Sequence, residues 1–250
     1  MKNWTTWGWL VATIVAMWLF PALVEAQPAM TVTLTDPEGP DQVVPTIKVL
    51  GMLTVMAVAP GILISMTSFT RIVVVLSFVR QGLGTQNVPP MQVILALSLL
   101  LSCVVMAPVA KEIDATALTP YMEQEIDEDA LWERSSAVMR RFLLSQTREA
   151  DLIGFYELSH TDLPQTEEEV SLLLLVPAFM ISELRTGFEM GFLIFLPFVL
   201  IDLVVASILT AMGMVMLPPT MVSTPMKILL FVVVDGWALL TSSLVASFGT

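Results

Sequence analysis

Three charged side chains stand inside an otherwise apolar run from Phe188 to Phe248 once Glu189 is passed: Asp202, Lys227 and Asp235. The bend Met212-Gly213-Met214-Val215-Met216-Leu217-Pro218-Pro219 divides the run. Asp202 and Lys227 lie equally far before and after the Met214/Val215 midpoint. If the chain folds back there as a helical hairpin, the two charges reach similar depth and neutralise each other. An unpaired carboxylate in hydrocarbon costs about 2.5–3.5 kcal/mol, so such residues face protein or a water-filled path. Asp202 could also carry a proton, but a structural ion pair with Lys227 is the more ordinary reading. Asp235 has no mirror-image partner and is assigned an intersubunit or helix-end contact. Desolvation cancels much of the gain from such pairs, so their use is to fix the register of neighbouring helices.

Met212, Met214 and Met216 are weighed in the same way. Methionine fills irregular apolar gaps, and one copy of the chain supports no more than that. In a ring of identical copies, the loop would repeat around an axis. Flexible thioethers could then close a hydrophobic constriction, which blocks ions by dewetting. The sequence offers no nucleotide loop, no nucleophile with a base and no metal cluster, so no catalytic residue, metal or cofactor is assigned. His160 stands alone, and Cys103 reads as a buried small hydrophobe.

The elements that position these groups are apolar helices. The chain has 250 residues, of which 56% are hydrophobic and 14% charged, with mean hydropathy +0.81. Soluble domains carry roughly 25% charged residues, so this is a membrane-protein distribution. The net charge of −12 argues against a nucleic-acid partner, which would need a basic face.

Five segments follow. Residues 1–26 have the layout of a cleavable signal peptide, with Lys2, an apolar core and Val24-Glu25-Ala26. Residues 27–47, with four prolines, read as an extended arm. Residues 48–110 form a first apolar helical hairpin region, in which Pro60-Gly61 predicts a break or kink. Arg71 within it needs a carboxylate, a carbonyl or water. Gln81 to Pro90 reads as a turn, placed on the cytoplasmic side by Arg71 and Arg80, and Met91–Ala110 is long enough for a span. Residues 111–169, with 15 acidic and 5 basic residues, form an acidic extracytoplasmic helical region. Residues 170–250 form the second apolar helical region with the methionine loop; its opening, Val170–Ser182, reads as a short buried or re-entrant segment.

The run Phe69 to Gln81 (FTRIVVVLSFVRQ) and Leu83 to Pro90 (LGTQNVPP) resembles the FliP family of flagellar type III export proteins. So do FLLSQTREAD from Phe142, ISELRTGF from Ile181, PFVLIDLV from Pro197, GMVMLPP from Gly213 and PMKILLFVVVDGW from Pro225. The resemblance implies an all-α membrane protein whose kinked helical hairpins pack into an oligomeric helical pore, a pentamer, with FliQ and FliR and alongside FlhB and FlhA. Unfolded flagellar export substrates pass through it at the inner membrane, and the subunit is not an enzyme. The family's methionine gasket maps onto Met212, Met214 and Met216. Its charged pairs map onto Asp202 with Lys227 and, between subunits, onto Arg148 with Glu183. It also implies that apolar helices pack into a cone partly above the membrane plane. An injectisome export subunit and a proton-coupled small-solute carrier using Asp202 and Asp235 are the competing readings. The leader favours the flagellar branch, and no inverted repeat supports the carrier.

Overall fold

The computed structural model describes residues 40–85, 88–214 and 216–249. The expected signal peptide and the first part of the expected arm lie outside these residues. Two compact units divide the chain, residues 1–56 and 57–250, and among the described residues every regular element is helical.

The first helix, α1 (Pro40–Ser65), starts inside the stretch expected to be extended and runs unbroken through Pro60 and Gly61. The extended reading is corrected from Pro40 onward, and no break falls at Pro60-Gly61. In apolar surroundings a broken helix leaves polar backbone groups with no water to bond, so proline is absorbed into the helix instead. The break comes after Ser65, where hydroxyls supply the missing partners. Thr67 Oγ1 donates to the Ile64 carbonyl at 2.7 Å and accepts from the Phe69 amide at 3.3 Å. Local bonding of this kind competes with the helical ladder. Ser68, fully buried, then ties the start of α2 (Phe69–Gly82) to Ser102 of α3 (Met91–Ile113) at 3.1 Å.

Helix α3 continues through Pro108, past the expected boundary at residue 110, into a π-turn (Asp114–Leu118) and the short α4 (Thr119–Met122). Pro120 has no N–H to give the Thr116 carbonyl. Arg134 of α5 (Glu128–Gln146) donates to that oxygen instead, at 3.2 Å. Asp127 caps α5 by accepting from the Ala130 amide at 2.9 Å. The acidic segment is thus helical, closing with α6 (Glu149–Leu158) and a 3₁₀ turn at Glu167–Glu169.

Helix α7 (Leu172–Ala211) is 40 residues long and contains Pro177 and Pro197. The short re-entrant segment expected at Val170–Ser182 is corrected: it is the first part of this helix. At 1.5 Å per residue α7 spans about 60 Å, twice the hydrocarbon thickness of a bilayer. It packs along α2, and Gly187-x-x-x-Gly191 brings the two backbones close. A Cβ on Gly191 would lie 2.4 Å from the Phe78 ring, and one on Gly187 would lie 3.2 Å from Val74. Small residues four apart permit this approach where helices associate in apolar surroundings.

The end of α7 is a Schellman cap. Gly213 takes φ +77, its amide bonds Thr210 O at 3.0 Å, and the Met214 amide reaches back to Leu209 O at 2.9 Å. Pro219 then opens α8 (Pro219–Val233) at a position where its missing donor costs nothing. A bend of 64° leads into α9 (Gly236–Ala246).

Three apolar clusters result. Ile72, Val75 and Leu76 of α2 meet Ile94 and Val105 of α3 and Leu244 and Phe248 at the C-terminal end. Val79, Leu83, Phe198, Phe231 and Leu240 form the second. Leu143, Tyr156, Val170, Leu175 and Phe179 form the third, under α5 and α6.

Candidate functional site

The hairpin of α7 and α8 brings Asp202 and Lys227 together. Lys227 Nζ donates to Asp202 Oδ2 at 2.5 Å, and Ser223 Oγ donates to Oδ1 at 2.6 Å. Ser223 and Lys227 stand four apart on α8 and so share one face. Both carboxylate oxygens are therefore occupied. The lysine is almost wholly buried, whereas the aspartate side chain is 38% exposed. Ahead of this pair the hairpin tip carries its methionines outward: Met212 and Met214 are exposed, and Met216 is 97% exposed. The tip is an apolar, conformationally soft projection on a helix end locked by a glycine cap and an ion pair.

Arg71 lies at the centre of a second cluster that the residue pattern did not disclose. Its guanidinium forms a two-pronged contact with Glu183: Nε donates to Oε2 at 3.0 Å, and Nη2 donates to Oε1. Nη2 also donates to Gln146 Oε1 at 3.0 Å, and Nη1 donates to the Ser247 carbonyl and hydroxyl at 3.0 and 3.1 Å. The Phe248 ring lies 3.9 Å from the guanidinium carbon, a cation–π distance. Four parts of the chain (α2, α5, α7 and the C-terminal end) thus meet on one cation, and Glu183 is fully buried.

Arg148 is not brought to Glu183 within one chain. It pairs with Glu189, six residues beyond Glu183 on α7, at 2.7 Å, and the hydrogen bond that it donates to Glu189 holds its guanidinium pKa above the usual value. The Arg148 amide donates to Ser182 Oγ at 3.0 Å, and that hydroxyl donates to Asp151 Oδ2 at 2.7 Å, which seats α6 on α7. Asp235 occupies the junction of α8 and α9 in the left-handed region, with φ 51 and no side-chain capping bond. Cys103 is exposed on the single chain rather than buried. Among the described residues no group of three His, Cys, Asp or Glu side chains gathers as a metal cluster.

Sequence reasoning missed Gln146, Ser223, Ser247 and the Gly187/Gly191 pair. The last had a readable signal in its spacing; the polar three had none, because ordinary serines and glutamines acquire their roles only through tertiary placement.

Stretches long and apolar enough to cross a membrane occur at Lys48–Ser65, Met91–Met122 and Leu172–Ala211, with α8 and α9 as a bent fourth. With Glu183 and Asp202 held in ion pairs within the chain, these define an all-helical membrane protein. Comparison with known proteins gives the particular kind: the chain belongs to the FliP family, whose model matches residues 52–244. It is similar to the flagellar biosynthetic protein FliP of Bacillus subtilis (strain 168), at 51% identity over 84% of this chain and 95% of the relative. The protein of the same name from Caulobacter vibrioides is 43% identical over 95% of this chain and 89% of the relative. That from Aquifex aeolicus is 44% identical over 84% and 89%.

Proposed function

We propose that this chain is a pore-forming subunit of the flagellar type III export gate, through which unfolded flagellar proteins cross the inner membrane. Copies of the chain surround a common lumen together with FliQ and FliR, alongside FlhB and FlhA, and the protein performs no catalysis. The observation that carries this reading is the projecting tip with exposed Met212, Met214 and Met216, backed by the Asp202–Lys227–Ser223 bonds. Repeated around an axis, such tips form a ring of flexible apolar side chains. A ring of this kind excludes water and ions yet parts for a passing polypeptide, because thioether chains repack at little expense.

The length of α7 supports the same reading. A helix of about 60 Å cannot lie wholly in a hydrocarbon layer of about 30 Å without tilting far beyond the usual range. Part of it therefore finds its apolar surroundings in other protein. Exposed Phe188, Phe192, Leu193, Leu196, Leu200, Leu203 and Val204 along α7 supply the surface for sister copies. The names of the relatives favour the flagellar branch over an injectisome.

Alanine at positions 212, 214 and 216 together tests this function. The complex is expected to assemble normally and to leak ions in planar-bilayer recordings. Unchanged conductance with an intact complex would remove the gasket.

A further inference from the structure

Arg80, at the end of α2, has no ionic partner among the described residues. It is absent from every ion pair the structure forms, and its Nε is cut off from solvent with no hydrogen bond. The one contact of its guanidinium is a weak one, Nη1 to Met91 Sδ at 3.9 Å. The sequence around it provides no compensation, since no acidic residue occurs from Gln42 to Lys111. A cation so placed in an apolar protein requires an anion.

The guanidinium opens onto a cavity of about 380 Å³ lined by Ser77, Arg80, Gln81 and Thr85. The residues that line it carry polar side chains, though part of the lining surface is apolar. The Ser77 hydroxyl donates to Val73 O, and the Thr85 hydroxyl donates to Val88 O, so their protons are spent and the donors left to the cavity are those of Arg80 and Gln81. The Gln81 amide forms no side-chain hydrogen bond among the described residues and has two N–H donors free. Arginine's planar fork matches the oxygens of a phosphate, and a neighbouring amide adds a third donor. The contact with Met91 also places the site along the chain's apolar stretches. Met91 is the first residue of Met91–Met122, a stretch long and apolar enough to cross a membrane, so Arg80 sits where that helix begins.

We propose that this cavity is a binding site for the phosphodiester of an anionic membrane phospholipid, held by Arg80 with Gln81 beside it. Basic pockets between membrane helices take such headgroups, and the anionic leaflet supplies them. The lipid would neutralise an arginine that forms no ion pair among the described residues, and its acyl chains would run along the exposed apolar face of α3 (Val93, Leu100 and Val104).

The test uses the purified full-length chain in detergent, titrated with phosphatidylglycerol or phosphatidylcholine and read by native mass spectrometry. Wild type is expected to retain phosphatidylglycerol in preference to phosphatidylcholine. Arg80→Gln is expected to lower that preference about fivefold, the worth of one cation near an anionic surface. Arg80→Lys, which keeps the charge and loses the fork, is expected to fall between them. Thr85→Leu narrows the cavity without touching the charge and is also expected to weaken retention, so the proposal does not rest on the arginine variants folding. An undiminished preference in Arg80→Gln and Thr85→Leu overturns the site. Displacement of the lipid by millimolar inorganic phosphate would make free phosphate the ligand and overturn the lipid assignment. Loss of oligomers in Arg80→Gln with unchanged lipid retention would assign the guanidinium to another chain's carboxylate, which overturns it equally.

Discussion

The Arg71–Glu183 pair and the Lys227–Asp202 pair each put a cation and a carboxylate into apolar surroundings, yet they are finished to different degrees. Around Arg71 both members are buried, at 4% and 0% side-chain exposure, and Gln146, Ser247 and the Phe248 ring use the remaining donors and the cation's face. Around Lys227 the cation is equally buried, but the carboxylate is left 38% open, and the tip beyond it is exposed. The first site is complete within one chain and holds the chain's own parts together. The second is complete on its helix-facing side only. A surface left half-finished in a single copy is where the proposed assembly would seat a neighbour.

Breaking the finished site should have the largest effect. Arg71→Ala leaves Glu183 buried and uncompensated, and removing one partner of a buried pair costs about 3–5 kcal/mol. It also releases the C-terminal end, whose Ser247 and Phe248 have no other charged anchor in this cluster. Thermal unfolding in detergent is expected to show a large loss of stability, and hydrogen exchange should rise in α9. Arg71→Met combined with Glu183→Leu removes both charges at similar volume and should recover most of the loss. A single variant as stable as wild type would show the cluster to be ornamental.

Asp202→Asn comes next. The asparagine oxygen can still accept from Ser223, but Lys227 stays buried without a counter-charge, a loss on the order of 2 kcal/mol. Because the pair lies behind the methionine tip, the deficit should appear as weaker assembly more than as any change in pH dependence. Size-exclusion of the complex alongside transport at several pH values separates the two. Normal oligomers with a shifted pH profile would make Asp202 a proton carrier and end the comparison drawn here.

The unequal legibility of the two sites has a physical cause. Asp202 and Lys227 are 25 residues apart across one bend, so counting along a hairpin places them at equal depth. The bend itself is written in local chemistry: a glycine that can take positive φ, then Pro218 and Pro219. The partners of Arg71 lie 75, 112 and 176 residues away, and no periodicity connects them; the need for a partner was readable, but its identity was not. The prolines misled for a related reason. Rules drawn from water predict breaks at Pro60 and Pro177, whereas the helices run on through both, each proline giving up one backbone bond. The true breaks fall at Thr67-Ser68 and at Gly213, where hydroxyls or a left-handed glycine satisfy the backbone.

The smallest effect on the isolated chain, and the sharpest division between the two kinds of site, should come from Arg148. Its pair with Glu189 is largely exposed, at 34% and 54%, and exposed pairs contribute little to stability. Arg148→Ala is therefore expected to leave the unfolding midpoint of the single chain nearly unchanged. A contact from Arg148 to Glu183 of a neighbouring copy, which the family resemblance implies, requires the Arg71 cluster to open, because the Glu183 side chain is fully buried within its own chain. Glu189 has no such obligation; its other bond is to the exposed Arg185 at 3.3 Å, and it is free to exchange Arg148 of its own chain for that of a sister. Charge reversal decides between the two. Arg148→Glu should disrupt oligomers, and Glu189→Arg in the same chain should restore them if Glu189 is the intersubunit partner. Restoration by Glu183→Arg instead would mean that the Arg71 cluster opens on assembly, and that the site described here as finished is the one that the neighbour remakes.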